Sequence, residues 1–262
     1  MREVTVSFGG IKALEDVSVD AAGGEVVGVI GPNGAGKTTL FNVICGFVAP
    51  NSGTISWRDR SLNGLSPHRL SSMGISRTLQ GVGLFSKLTV LENVMTGADR
   101  FRRARYGGAL LGLWTSDRDE RALRERARAS LSRLDCTGIE DRLPGTLPFA
   151  VQKRVALARA LACEPELLLL DEPAGGLGTE EMSELGQLIR SLGKSIAVMV
   201  VEHHMDLVMS VCDKVVVLDF GSVIAAGEPA AIRENPRVLE AYLGRDASEE
   251  DVAAAGTGDA GG

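Results

Sequence analysis

A short apolar run, VVGVI at residues 26–30, leads directly into the segment GPNGAGKTT at residues 31–39. An apolar run of this length bounded by turn residues predicts a buried strand, and residues 40–45 are predicted to continue as a helix. A glycine-rich turn between a buried strand and a helix can direct several backbone N–H groups at one anion. This order of strand, loop and helix limits the first part of the chain to α/β architectures.

The segment from Gly31 to Thr38 matches the pattern GxxxxGK[ST]. Glycines let successive N–H groups wrap around phosphate oxygens, the lysine contributes charge at the β- and γ-phosphates, and the hydroxyl can bind Mg²⁺. A glycine-rich turn at a helix start is the simpler alternative, but the preceding strand and the following helix favour a phosphate loop. The predicted nucleotide-binding residues are Gly31, Asn33, Gly34, Ala35, Gly36, Lys37, Thr38 and Thr39, with Thr38 also a metal ligand.

Two further apolar runs end in polar residues. The run at 167–170 is followed by Asp171 and Glu172, and a second run ends in VVEH at His203. In open α/β folds, ligands bind at the carboxyl ends of strands. Asp171 is therefore predicted to hold Mg²⁺, Glu172 to orient or deprotonate a water, and His203 to contact the γ-phosphate. Strands commonly end in Asp and single histidines are commonly structural, so each signal alone is weak.

Composition excludes several classes of protein. The 262 residues contain no apolar run long enough to span a membrane and no secretory signal at the N-terminus. Four widely spaced cysteines predict buried free thiols instead of disulfides or a zinc knuckle. The net charge is −6, and residues 246–262 contribute five acidic residues to it and no basic one. The rest of the chain is therefore nearly neutral, and its charge favours neither nucleic acid nor membrane as a partner.

The chain falls into three zones and a tail. Residues 1–80 are predicted to alternate strands with glycine-rich turns, and residues 81–150 are predicted to be mainly helical. Residues 151–245 are predicted to return to alternating strands and helices. In the middle zone a helix is predicted over 118–134, capped by Ser116 or Asp117. Strands alternating with helices predict a largely parallel sheet covered on both faces. The tail, 246–262, is predicted to be disordered.

The elements expected in the third zone can be stated individually. The predicted helices are 151–162, one from about 180, 205–211, 229–234 and 236–243, and the predicted strands are 167–170, 195–201, 215–218 and 223–225. The last two strands form a hairpin that turns at Phe220 and Gly221. His204 is expected at the surface, where a helix starts.

The order of the phosphate loop, Gln80, LPFAVQKR, LLLLDEP and VEH resembles that of an ATP-binding-cassette (ABC) ATPase, over residues 4–243. The spans RTLQGVGLFSKLTVLENV at 77–94 and NPRVLEAYLG at 235–244 resemble the ATP-binding subunits of branched-chain amino acid importers. The resemblance implies an α/β P-loop NTPase core with an antiparallel β subdomain and an inserted helical subdomain. It places the ATPase domain at 1–245, with 81–150 as the helical subdomain. Two such subunits dimerise head to tail around two ATP molecules.

The resemblance also implies roles for single residues. The loop from Gly31 to Thr39 binds ATP, and Phe8 stacks on adenine, although a core aromatic is the alternative. Asp171 handles Mg²⁺, Glu172 is the catalytic carboxylate and His203 is the switch histidine. Gln80 lies in the segment facing the permease, where it is a catalytic residue and metal ligand; alone it would be read as a surface residue.

The residues offered to the partner's ATP depart from the family pattern. The signature segment reads Leu147, Pro148, Phe149, Ala150 and Val151 instead of approximately LSGGQ. Proline lacks an N–H donor, and Ala150 adds a methyl group where a glycine would let the backbone approach phosphate. The pair Pro148 and Phe149 resembles a common variant of the branched-chain importer branch, so Ala150 is the sharper departure. Gly178 stands where an Asp or Asn is usual. These departures favour a heterodimer with a second ABC ATPase subunit.

The leading hypothesis is the ATP-hydrolysing subunit of an importer, peripheral at the cytoplasmic face of the cell membrane. Mg-ATP-dependent dimerisation would drive permease subunits, an external binding protein would deliver substrate, and no nucleic acid is expected. One alternative is a soluble ABC ATPase acting on nucleic acid or ribosomes, favoured only by RFRRAR at 100–105. Others are a regulatory subunit that binds ATP without turnover, and an importer for a different cargo. The first strand is expected to be shortened.

Overall fold

The computed structural model describes residues 1–78, 81–101 and 115–242, with side chains from residue 118 in the last range. Their contacts form two compact units. Unit 1 comprises residues 1–21, 25–66 and the chain from 201 onward, and unit 2 comprises residues 22–24 and 67–200.

The strands are β1 (Arg2–Phe8), β2 (Ile11–Val17), β3 (Val26–Ile30), β4 (Ser52–Thr54), β5 (Ser56–Trp57), β6 (Arg60–Ser61), β7 (Ile75–Arg77), β8 (Leu167–Asp171), β9 (Ala197–Val201), β10 (Lys214–Asp219) and β11 (Ser222–Gly227). The helices are α1 (Lys37–Ile44), α2 (Val90–Gly97), α3 (Thr115–Ser132), α4 (Phe149–Leu161), α5 (Thr179–Gly193), α6 (Met205–Val211) and α7 (Pro229–Arg233). Residues 236–242 are also helical.

Unit 1 combines an antiparallel sheet with strands of a parallel one. The order β2-β1-β4 forms a three-stranded antiparallel sheet, and β5 pairs with β6. Strand β3 is buried at every residue and pairs in parallel with β10, which pairs antiparallel with β11. Burial of both faces is the mark of a parallel strand covered by helices. A Cβ at Gly28 would lie 2.8 Å from side-chain atoms of Val208 and Cys212, so the glycine lets α6 and the residue after it approach β3.

Unit 2 carries the strand order β9-β8-β7 and a group of helices. Strands β7 and β8 are parallel, with Arg77 opposite Leu169. Helices α2, α3 and α4 contact one another. The predicted apolar face of α3 and the residues after it is buried: Leu123, Ala127, Leu131 and Leu134. Thr89 and Glu92 form a capping box at the start of α2, each satisfying a backbone N–H of the other.

Most predicted elements are confirmed, including the hairpin β10–β11 with its turn at Phe220 and Gly221. Several boundaries were wrong. Helix α1 starts at Lys37 and not at residue 40, because the left-handed Gly36 is already its N-cap. Helix α4 starts at Phe149, two residues early, and strand β9 starts at Ala197, two residues late. The delay in β9 arises because the N–H groups of Ser195 and Ile196 still bond to the carbonyl of Leu192 in the preceding helix.

Two other expectations have clear outcomes. Helix α3 has begun by Thr115, so neither Ser116 nor Asp117 is its N-cap. All four cysteines are buried free thiols, as predicted. Among the described residues, no helix has the length and apolar character that crossing a membrane requires. The predicted disorder of 246–262 concerns residues outside those described.

Truncating the buried face of α3 should destabilise the protein. Leu131 is fully buried, so Leu131→Ala is expected to lower the free energy of unfolding by about 2–5 kcal/mol through lost burial and the cavity left behind. Leu143→Ala, at a leucine that is 45% exposed, is the matched control and should cost about 0.5 kcal/mol or less. Urea unfolding followed by circular dichroism measures both, and equal losses would contradict this account of the core.

Candidate functional site

The phosphate loop lies in unit 1 between β3 and α1. Its backbone passes so close to neighbouring chain segments that side chains are excluded at two positions. A Cβ at Gly31 would lie 2.1 Å from the carbonyl oxygen of Leu218, and one at Gly36, where φ is +103°, would lie 2.6 Å from the carbonyl oxygen of Ala13. The loop is therefore held by contacts that only glycine permits.

Lys37 folds back over this loop. Its ammonium donates hydrogen bonds to the carbonyl oxygens of Gly31 (2.6 Å) and Pro32 (2.9 Å), and the residue is only 8% exposed. Asn33, Gly34 and Thr38 are exposed, whereas Ala35 is buried and Thr39 half-buried. The loop thus places a buried positive charge beneath an accessible edge of backbone and hydroxyl groups.

Phe8 ends strand β1 and lies opposite Ile11 across the antiparallel pair. It is 52% exposed, so the alternative of a core aromatic is wrong. Its ring is available for stacking from the same unit that carries the phosphate loop.

His203 projects from a backbone segment that a buried carboxylate fixes. Glu202 is fully buried, and its Oε2 accepts hydrogen bonds from the N–H of His203 (3.0 Å) and of His204 (3.3 Å) and lies 2.9 Å from His204 Nδ1. The N–H of Glu202 donates to the carbonyl of Val29 in β3, at 3.3 Å. The His203 side chain is 52% exposed. His204 is the N-cap of α6, as expected for a residue at a helix start.

The role of Glu202 was not predicted from the sequence, because only the folded turn between β9 and α6 brings the next two N–H groups to its carboxylate. Ligand atoms of Glu202, His203 and His204 lie within 4.8 Å of one another, which is compatible with a metal ion. Because Oε2 already accepts hydrogen bonds from two backbone N–H groups, we assign this carboxylate a structural role and not a metal-binding one.

Unit 2 carries the two carboxylates predicted at the end of β8. Asp171 is 4% exposed, and its Oδ2 lies 2.6 Å from Nη2 of Arg77 at the end of β7. The N–H of Asp171 donates to Oγ1 of Thr78 at 3.2 Å. Arg77 was not singled out in the sequence, because its partner lies on a strand 94 residues away. The ion pair orients the buried Asp171 carboxylate.

Glu172 follows directly and has a left-handed backbone, with φ of +47°. This region is sparsely populated by residues other than glycine and is maintained only where surrounding contacts impose it. The side chain is half-buried. The carbonyl of Glu172 accepts a hydrogen bond from the N–H of Gly175 at 3.2 Å, which closes a turn immediately after the carboxylate.

The signature residues cluster around the start of α4. Leu147 is buried, Pro148 and Phe149 are exposed, and Ala150 and Val151 are half-buried. Pro148 is the N-cap and supplies no side-chain hydrogen bond to the helix. Its substitution for Ser therefore removes a hydroxyl at an exposed position. Gly178, the N-cap of α5, is also exposed, and its N–H donates to the Glu181 carboxylate at 2.9 Å.

Unit 2 also contains a cleft of about 420 Å³ that borders Asp171. Leucines from α4 and α5 and from the segment after α3 form its apolar walls, and the Arg154–Glu184 ion pair lies among them. Thr78 and Gly81 line the cleft, while Gln80 between them lies outside the described residues. Phe8, the phosphate loop and His203 thus belong to unit 1, and Asp171, Glu172 and the signature residues to unit 2.

Tyr242, near the C-terminal end of the described chain, has its hydroxyl buried beside the backbone of Gly31. Burial raises the pKa of Tyr242 to about 12, against a smaller lowering by the Gly31 backbone. The sequence resemblance covered this segment without indicating a contact with the phosphate loop.

The raised pKa of Tyr242 can be measured directly, because the chain has only one other tyrosine, Tyr106. Phenolate absorbance of Tyr106→Phe should titrate near pH 12, above the ordinary value of about 10. Between these two values the unfolded chain ionises and the folded chain does not, so stability present below about pH 10 is lost as the pH rises toward 12. Circular dichroism must therefore confirm folding at each point. Titration of the folded Tyr106→Phe variant near pH 10 would contradict the burial.

Comparison with known proteins identifies the family. The family model described as ABC transporter matches residues 14–175, and the model described as branched-chain amino acid ATP-binding cassette transporter matches residues 222–248. The branched-chain amino acid transport ATP-binding protein BraF of Pseudomonas aeruginosa is 38% identical over 243 residues, covering 92% of this chain and 95% of BraF. LivG of Escherichia coli is 38% identical over 239 residues, covering 90% and 94%. The lipopolysaccharide export protein LptB of Acidithiobacillus ferridurans is 34% identical over 232 residues, covering 88% and 90%.

Comparison with solved structures gives the same family as the sequence comparison. A nucleotide-free ATP-binding cassette of an ABC transporter matches with a TM-score of 0.80 and 30% identity, over 92% of this chain and 96% of that one. The ADP conformation of MJ1267, also an ATP-binding cassette, matches with a TM-score of 0.80 and 30% identity, over 93% and 97%. The predicted fold class, an α/β P-loop NTPase of the ABC type, is confirmed. The chain therefore belongs to the ATP-binding-cassette transporter family, as a nucleotide-binding subunit that hydrolyses ATP.

Proposed function

We propose that this chain is the ATPase subunit of an importer for branched-chain amino acids and acts at the cytoplasmic face of the membrane, bound to permease subunits. The names of BraF and LivG, and the family model over residues 222–248, support this cargo. The cargo itself is selected by the permease and the external binding protein, since LptB shares the same ATPase fold and serves lipopolysaccharide export.

The phosphate loop carries the proposal for nucleotide binding. Backbone N–H groups between Gly31 and Thr39 bind the phosphates of ATP, together with the Lys37 ammonium that the structure holds over the loop. The exposed ring of Phe8 stacks on adenine.

The donor set fits Mg²⁺, because Thr38, Gln80 and Asp171 all offer oxygen atoms and this ion prefers oxygen ligands. When bound, the ion neutralises charge on the phosphate oxygens. Glu172 orients and deprotonates the attacking water, His203 contacts the γ-phosphate, and Gln80 links the site to the permease. Arg77 orients the Asp171 carboxylate through their ion pair.

The signature residues support a heterodimer with a second ABC ATPase subunit. Leu147, Pro148, Phe149, Ala150 and Val151 face the partner's ATP in this arrangement. Pro148 has neither hydroxyl nor N–H, and the exposed Gly178 has no side chain for a contact across the dimer. The competent site then combines this chain's phosphate loop and Glu172 with the partner's signature, while the opposite site is slow or only binds ATP.

Within this proposal, residues 1–245 form one ATPase domain with 81–150 as its helical subdomain, and 246–262 form an acidic tail.

The alternative of nucleic-acid binding depends on the basic segment 100–105, of which only Arg100 and Phe101 are described. The Arg100 guanidinium donates to the carbonyls of Ser71 (3.0 Å) and Glu164 (3.3 Å) and stacks on the ring of Phe101. Arg100 therefore serves the structure of unit 2, which weakens that alternative.

Filling the space at Gly36 should weaken nucleotide binding. In Gly36→Ala the new methyl group collides with the backbone of Ala13, so the loop must shift and ATP affinity is expected to fall by about tenfold or more, or about 1.4 kcal/mol. Gly64→Ala is the matched control, because Gly64 also has positive φ (+72°) but no atom within 4 Å of the added Cβ. Titration with a fluorescent ATP analogue measures both, and equal affinities would contradict the assignment of the loop.

Replacing the proposed base should separate binding from hydrolysis. Glu172→Gln is expected to lower the rate of ATP hydrolysis by about 100-fold or more while leaving ATP affinity unchanged, because only proton transfer is lost. Glu180→Gln, at an exposed residue at the start of α5, is the control and should hydrolyse ATP normally. Hydrolysis by Glu172→Gln at the normal rate would contradict the role of Glu172, and wild-type binding without turnover would indicate the regulatory subunit.

The same Glu172→Gln variant tests the transporter assignment. Tagged protein added to native membranes with Mg-ATP should retain a second ABC ATPase subunit and a membrane-spanning permease. Recovery of this chain alone as the ATPase would contradict the heterodimer. Recovery of ribosomes or nucleic acid without a permease would favour the soluble alternative.

A further inference from the structure

Lys153 links the signature helix to the segment that carries the proposed catalytic carboxylate. Its ammonium donates hydrogen bonds to the backbone carbonyl of Pro173, at 2.7 Å, and to that of Glu172, at 3.3 Å. Lys153 lies one turn into α4 and is half-buried. Charged donors form stronger hydrogen bonds to carbonyls than neutral ones do, and partial burial strengthens them further.

The signature contributes a second contact to the same segment. The ring of Phe149 lies against Gly176, where an added Cβ would be 2.9 Å from Cε1 of that ring. Phe149 and Lys153 are four residues apart on α4 and therefore share one face of the helix. The Lys153 Nζ lies 5.4 Å from the centroid of the Phe149 ring, within the range of a cation–π contact. One face of α4 thus holds both ends of residues 172–176.

Glu172 requires such support. Its left-handed φ of +47° is unfavourable for a residue with a side chain. This backbone angle sets the direction in which the carboxylate leaves the chain. A proton-accepting group must be aligned with the water it activates, so a small rotation at this residue costs rate without affecting nucleotide affinity.

We propose that Lys153 is a positioning residue for ATP hydrolysis, which fixes the backbone of Glu172 from the signature helix and so couples the two segments within one chain. The inference rests on the proposed role of Glu172. It gives the substituted signature a task inside its own subunit: Phe149, where the family pattern has a glycine, contributes to the support of Glu172.

The test compares three full-length variants with the wild type in steady-state hydrolysis of γ-labelled ATP. Lys153→Met keeps the length of the side chain but removes the donor, and kcat is expected to fall about tenfold, or about 1.4 kcal/mol in activation free energy, with KM for ATP unchanged. Lys153→Arg retains a charged donor and should recover most of the rate. Lys194→Met, at an exposed lysine in the same unit, is the control and should behave as the wild type.

A double-mutant cycle with Glu172→Gln distinguishes positioning from general stabilisation. If Lys153 acts through Glu172, adding Lys153→Met to Glu172→Gln should not lower the residual rate further. A further tenfold loss in the double variant, or a normal kcat for Lys153→Met, would overturn the inference and leave the role of Glu172 intact. Normal hydrolysis by Glu172→Gln itself would overturn both.

A variant that loses its fold is recognised by its urea midpoint. If Lys153→Met is not folded, Gly176→Ala probes the second contact, because its methyl group displaces the Phe149 ring. Gly138→Ala, at a glycine of unit 2 with a similar left-handed φ of +80° and no atom within 4 Å of the added Cβ, is its control. A selective loss of kcat in Gly176→Ala supports the inference, and equal rates in the two glycine variants overturn it.

Discussion

Close backbone packing in unit 1 is the constraint on which the shape of the phosphate loop depends. The N–H of Glu15 in β2 donates to the carbonyl of Gly221, at 2.8 Å, and the N–H of Gly221 donates to the carbonyl of Ala35 in the phosphate loop, at 3.1 Å. Glycines at 36 and 221 make this possible, because a Cβ at either would lie within 3 Å of the Ala13 carbonyl. The hairpin β10–β11 and the antiparallel sheet therefore both hold the loop, and the loop's shape depends on strands far from it in sequence.

The two units differ in how much of the candidate site could be predicted from the sequence. The phosphate loop could be predicted because every residue it needs is local: the buried strand, the glycines, Lys37 and the helix are consecutive. Asp171 and Glu172 were proposed for the same reason, since they follow an uninterrupted apolar strand. The first residues of helices were predicted less accurately. Apolar periodicity begins at Leu40, whereas α1 begins three residues earlier, at Lys37, directly after its left-handed N-cap Gly36.

Residues that act on others were missed because a residue pattern does not show which contacts a side chain makes. Arg77 forms an ion pair with Asp171 on the neighbouring parallel strand, and the residues around Arg77 in the sequence do not indicate this partner. Lys153 reaches carbonyl groups, which leave no trace in a residue pattern. Glu202 was passed over beside two histidines, although it is the fully buried residue of the three. Packing decides these roles, and local sequence does not encode packing.

The Lys37 ammonium has hydrogen-bond acceptors within its own loop. A buried ammonium is costly unless hydrogen bonds replace its hydration, and the carbonyls of Gly31 and Pro32 provide them. In the proposed function, an arriving phosphate would exchange neutral acceptors for charged ones without having to dehydrate an exposed cation. The gain proposed at this lysine is the difference between two sets of hydrogen bonds, so a weakly charged anion would not displace the carbonyls.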